Sequence, residues 1–133
     1  MRTFPKILPG GLAAVGADHT VLPSCCCGLE TWKEWLNVLY GGGPPWTGHD
    51  PAPLVEVLEG KVYVWSDGAW GAKPESESPL VFTSDQFDRA VRKAANDIAG
   101  FVLPLRSWLQ MHAGSSADAI VQKFTNTFVD PKS

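Results

Sequence analysis

The chain has 133 residues, 44% of them hydrophobic and 19% charged, with 11 Lys+Arg against 14 Asp+Glu and a formal net charge of -3. Its 13 Gly and 11 Pro are too few for a collagen-like or low-complexity chain, and six Trp argue for a packed core. The acidic balance argues against a nucleic-acid binder that works through net positive charge.

These numbers fit one globular domain over residues 1–133. The opening Met1-Arg2-Thr3-Phe4-Pro5-Lys6 lacks the apolar stretch of a signal segment, and no window approaches the roughly 20 apolar residues of a membrane span. The three cysteines are consecutive, Cys25-Cys26-Cys27, which is not the paired framework of a disulfide scaffold. The expectation is a cytoplasmic protein with no membrane contact.

Residues 1–23 are punctuated by Pro and Gly, with short strands expected at Ile7-Leu8 and Val21-Leu22. From Gly28 to Tyr40, Leu29, Trp32, Leu36 and Leu39 recur at helical spacing, widened by Trp35, and Gly41-Gly42-Gly43 ends the helix. Gly41 to Pro53 is a Gly/Pro loop long enough to suggest function. Leu54–Leu58 and Lys61–Trp65 read as a hairpin turned at Glu59-Gly60, with Leu80-Val81-Phe82 as a third strand. Thr83 and Gln86 form a capping box, with Phe82 and Phe87 as a hydrophobic staple. The stripe Phe87, Val91, Ala94, Ile98, Phe101, Leu105 and Trp108 follows, with a kink or break expected at Pro104. A last helix, capped by Ser115 or Ser116, carries Ala117, Ile120, Val121, Phe124 and Phe128. The order predicts an α+β fold, a small antiparallel sheet of about three or more strands with helices on one face.

The cysteine triplet precedes a helix start, where the dipole and free N–H groups favour a thiolate. The bland alternative is packing, with two of the three thiols buried and one exposed. A metal site is disfavoured because adjacent cysteines point different ways and lack the usual C-x₂₋₄-C spacing. His19, beside Asp18, and His49, beside Asp50, are the candidate bases for a Cys–His–Asp arrangement, though nothing in the spacing brings these groups together. His112 is accounted for by a helix end. The glycines form no nucleotide motif, and no cofactor is implied. Periodicity assigns Trp32, Trp35 and Trp108 to the core. Trp46 and Trp70 instead lie in Gly-rich segments beside acidic turns, as interface anchors do. The binding candidates are therefore Trp46, His49, Asp50, Asp67, Trp70, Glu75 and Glu77.

Cys25 to Trp32, a cysteine run entering a Trp-bearing helix, and Val81 to Phe87, a strand passing into an amphipathic helix, resemble small bacterial proteins of the immunity type found in polymorphic toxin systems. The resemblance implies a cytoplasmic protein that binds and blocks a cognate toxin, and it brings no catalytic residues. The alternative is a small cysteine-dependent enzyme or redox protein using Cys25, Cys26 or Cys27 with His49. These two expectations differ in whether the thiols react.

Overall fold

A computed structural model describes residues 8–71, 73–74 and 77–131. In the middle strand of the central sheet Val62 and Val64 alternate with Tyr63 and Trp65. Strands β3 (Leu54–Leu58) and β4 (Lys61–Trp65) pair antiparallel with Val55 opposite Val64 and Val57 opposite Val62. Glu59 and Gly60 both take positive φ, 50° and 77°, as the tight hairpin turn requires. Strand β5 (Leu80–Thr83) adds to β4, giving the order β3-β4-β5. One face carries Val55, Val62, Val64 and Leu80, all buried. The opposite face holds Tyr63 and Trp65, with the Lys73 ammonium 4.9 Å from the Trp65 ring centroid.

The buried face packs against two helices. The first, Leu29–Tyr40, is of the 3-10 type. Its most buried large residues are Trp32, Trp35 and Val38, at spacings of three, while Leu36 and Leu39 lie partly buried at its edge. The expected 3.6-residue stripe is therefore re-phased, because three residues per turn stack i, i+3 and i+6 on one side. Gly41 closes the helix at φ 81°, its N–H bonded to the Asn37 carbonyl. The second is α1 (Ser84–Gly100), which begins with the expected capping box. Gln86 N donates to Thr83 Oγ1 at 3.1 Å and Thr83 N donates to Gln86 Oε1 at 3.0 Å. Phe82 and Phe87 meet edge to face at 6.5 Å, as a hydrophobic staple does.

The chain breaks between α1 and α2 (Val102–His112), so Pro104 falls in the first turn of the new helix. A proline there needs no N–H partner, whereas in a continuous helix it would orphan the Gly100 carbonyl. The apolar stripe is not continued in the phase read from α1. Val102, Leu105 and Leu109 now pack against Ala117, Ile120 and Val121 of α3 (Ala117–Phe124) as a second cluster. Trp108, expected in the core, is instead 57% exposed and stacks on His112 at 4.4 Å. No serine side chain caps α3; Gly114–Ser116 forms a short 3-10 turn before it. Beyond α3, a wide turn over Thr125–Val129 seats fully buried Phe128 beside Trp32, whose indole N–H donates to the Phe128 carbonyl.

The N-terminal pairing differs from expectation. A two-stranded ribbon joins β1 (Ala14–Val15) to β2 (Thr20–Val21), one residue earlier than the expected Val21-Leu22. Ile7, in the other expected strand, lies outside the described residues. Ala14 and Val21 complete the main core. The ribbon delivers the chain to the cysteine triplet. Among the described residues no helix is long and apolar enough to cross a membrane.

Candidate functional site

The Gly/Pro loop is laced to the cysteine segment by its backbone. Ser24 N donates to the Thr47 carbonyl at 2.8 Å, and His49 N donates to the Cys25 carbonyl at 3.1 Å. The Ser24 hydroxyl reaches the carbonyls of His49, at 3.2 Å, and Pro51. Trp46 is held at both ends: its backbone N–H donates to Glu34 Oε1 and its indole N–H to the Cys26 carbonyl, each at 2.9 Å. Thr47 is buried and donates to the Pro53 carbonyl at 3.0 Å. The loop is thus bound to the scaffold, although it lacks regular structure over most of its length.

This lacing unites groups that lie 23 residues apart. His49 Nε2 is 3.2 Å from Cys26 Sγ, and His49 Nδ1 is 3.0 Å from Asp50 Oδ2. Cys25 Sγ lies 3.0 Å from Cys26 Sγ. An extended chain would point neighbouring side chains to opposite sides. Two left-handed residues undo that alternation: Cys26 at φ 70° and Asp50 at φ 57°. Asp tolerates this region, but for Cys it is uncommon and costs about 1–3 kcal/mol, an expense concentrated at working sites. The expectation that adjacent cysteines diverge is corrected here by Cys26's backbone.

The triplet divides differently from expectation. Cys25 and Cys26 are exposed and only Cys27 is buried. Cys27 Sγ lies 3.4 Å from Thr31 Oγ1, and burial raises its pKa. Cys26 is shifted the other way, below an ordinary thiol, first by the Cys25 thiol and then by the His49 imidazole. Cys25 is raised, chiefly because Cys26 takes up its hydrogen bond. His49 is raised by Asp50 first and by Cys26 second. The largest causes at Cys25, Cys26 and His49 are neighbouring side chains, and at Cys27 burial. Since an ionised carboxylate only accepts, Asp50 draws the Nδ1 proton and leaves the Nε2 lone pair facing Cys26.

Aromatic rings frame the imidazole. Trp46 lies 6.2 Å from His49, Trp70 lies 6.1 Å from it and nearly parallel at 16°, and the two indoles are 5.8 Å apart. Trp70 is 71% exposed, as expected of an interface aromatic. Trp46, expected as its equal, is half buried and structurally bound. A shallow cleft of about 300 Å³ runs between Asp50, Pro51, Asp67 and Trp70.

The remaining candidates serve other ends. Asp67 Oδ1 accepts from Ala52 N at 3.0 Å and Gly68 N at 2.8 Å, fixing a turn and the end of the loop. Glu77 accepts from the Ser66 hydroxyl and, with His19, lines a larger cleft of about 670 Å³ that contains none of the cysteines. His19 is therefore not among the groups assembled at the thiols. Glu75 lies outside the described residues. His112 Nδ1 is 2.8 Å from the Trp108 carbonyl, a local contact at the end of α2. Sequence reading missed Ser24, Glu34 and Gly48, which position the site without joining its chemistry. Ser24 and Gly48 were signalled only by adjacency to the Cys and His-Asp runs, and Glu34, within the Leu29–Tyr40 helix, by nothing in its local sequence.

Chemically, the arrangement sets one thiol against an imidazole and beside a second thiol, both thiols open to solvent. Neither family models, nor curated proteins, nor solved structures match the chain.

Proposed function

We propose that the protein is thiol-active, with Cys26 as nucleophile, His49 as its base and Asp50 orienting the imidazole. The observation that carries this reading is the continuous Asp50–His49–Cys26 chain, with links of 3.0 and 3.2 Å. A second thiol 3.0 Å away favours exchange with disulfides over acyl transfer. Cys26 thiolate attacks one sulfur of a disulfide, expels the other as a thiolate, and forms a mixed disulfide. Cys25 then attacks Cys26 Sγ, releasing the second thiol and leaving Cys25 and Cys26 joined. The dithiol is oxidised by two electrons and the substrate reduced by two. The exposure of both thiols suits a disulfide presented at a partner's surface. The test is the rate of mixed-disulfide formation with an aromatic disulfide reagent at pH 7. Cys26→Ser should abolish the fast phase, and His49→Gln should slow it severalfold. A wild-type rate no faster than that of a free cysteine would refute the proposal.

A second reading, neutralisation of a cognate toxin by contact, is favoured by a different observation. Trp70 stands 71% exposed beside the carboxylates of Asp50 and Asp67, a large aromatic in an acidic setting. Trp70→Ala should weaken binding to a toxin domain encoded by the neighbouring reading frame by more than about 2 kcal/mol. Unchanged affinity would remove this surface from the reading.

A further inference from the structure

We propose that Cys25, Cys26 and His49 form a binding site for a zinc-class divalent ion, which masks the thiols when bound. Two soft thiolates and an imidazole are a donor set that zinc prefers over the oxygen-loving cations. The three ligand atoms lie within 4.8 Å of one another. Zinc–sulfur bonds near 2.3 Å and zinc–nitrogen bonds near 2.0–2.1 Å at tetrahedral angles place sulfurs about 3.8 Å apart and sulfur and nitrogen about 3.6 Å apart. The present 3.0 and 3.2 Å separations reach those values by opening less than an ångström, and the third pair, Cys25 and His49, lies within the 4.8 Å that bounds the set, so it needs at most about 1.2 Å of closure. Both cysteines are exposed, which leaves their side chains room to rotate.

The surroundings are those of a metal-bound histidine. Asp50 accepts the imidazole's other N–H at 3.0 Å, the carboxylate–histidine pairing that fixes the tautomer and raises ligand basicity. Trp46 and Trp70 flank the ring, and the His49 N–H bond to the Cys25 carbonyl ties the two ligand-bearing segments together. Cys27 is not a ligand, since its thiol is buried beside Thr31. Three protein ligands leave the fourth tetrahedral position to water or to a group brought by a partner. Metal binding and disulfide formation exclude one another because both use the same sulfur lone pairs. The masking role rests on the thiol-active reading; the metal site itself does not.

The test uses the full chain, reduced and stripped with a chelator that is then removed. Zinc alone is titrated in competition with a chromophoric chelator, and cobalt(II) is used separately for thiolate-to-metal charge-transfer absorption. The expected result is one ion per chain, with sulfur charge transfer. Affinity should fall by about tenfold or more in Cys25→Ser, Cys26→Ser and His49→Gln, and by about 10–100-fold in Asp50→Asn. Alkylated wild-type protein, which needs no mutation, should lose the same site, and far-UV circular dichroism checks that each variant is folded. Uptake unchanged by alkylation and by His49→Gln, or no uptake at one equivalent, overturns the proposal. Alkylation rates of the metal-free protein separate the two readings. Zinc uptake through these three residues with unreactive thiols supports the site and refutes exchange, whereas reactive thiols without uptake do the reverse.

Discussion

Replacing Gly48 by alanine tests whether loop docking creates the site. Gly48 has φ 106°, and an added Cβ would lie 2.4 Å from Ser24 Oγ and 2.7 Å from the carbonyl carbon and oxygen of Ser24. The hydroxyl can rotate away, but the backbone carbonyl cannot. Forcing alanine into this conformation costs about 1–3 kcal/mol and the overlap a similar amount, so about 2–6 kcal/mol together. Opposing it are the hydrogen bonds that dock the loop at Ser24 and His49, each contributing about 0.5–1.5 kcal/mol net. The penalty matches the local docking energy but falls below or near a whole-domain stability of about 5–15 kcal/mol. The loop should therefore lift from the cysteine segment before the domain unfolds. Urea unfolding followed by far-UV circular dichroism should show a lowered midpoint and a slightly reduced slope, because the lifted loop is already exposed in the folded protein. Alkylation at pH 7 should show Cys26 reduced to the rate of an ordinary exposed thiol. A Gly48→Ala protein with wild-type stability and wild-type Cys26 reactivity would refute this account of how the site is held.

Other consequences follow from the same contacts. In metal-free protein, Cys26 should alkylate with a midpoint below that of an ordinary thiol, because neighbouring Cys25 and His49 favour the thiolate while Asp50 opposes it. Cys25→Ala and His49→Gln should each move that profile to higher pH, and a profile indifferent to both would remove the assigned cause. Thr83→Ala removes the side-chain half of the capping box and should cost about 1 kcal/mol in chemical denaturation while leaving Cys26 reactivity intact. Trp32→Phe leaves the buried Phe128 carbonyl without its indole donor and should cost about 1–3 kcal/mol for that group, with the added cavity on top. A loss below about 0.5 kcal/mol would mean that the C-terminal turn is not held through this contact.

Local patterns carried much of the architecture. The hairpin over Leu54–Leu58 and Lys61–Trp65 follows from two β-branched and aromatic runs joined by the Glu59-Gly60 turn, and the Thr83–Gln86 cap from hydrogen bonds closed within four residues. Such features depend on neighbours in sequence and need no distant partner. Trp108 was misplaced because a stripe read across Pro104 assumes one continuous helix. The helix ends at Gly100, and in α2 it is Val102, Leu105 and Leu109 that pack against α3, which leaves the Trp108 indole at the surface.

The site divides along the same line. Composition and spacing determined that the chain holds three adjacent thiols before a helix, a His-Asp pair in a Gly/Pro loop, and loop tryptophans that no core stripe claims. Only the tertiary structure decided that Cys26 faces His49 at 3.2 Å while Cys27 is buried, that Trp46 is bound and Trp70 free to solvent, and that His19 serves elsewhere. The reason is physical. The meeting of Cys26 and His49 depends on a ladder between Ser24–Cys25 and Thr47–Pro51, and the direction of two side chains depends on the positive φ of Cys26 and Asp50. Residue order specifies neither a long-range rung nor a left-handed cysteine, because both exist only when the packed scaffold holds them against their entropy and strain.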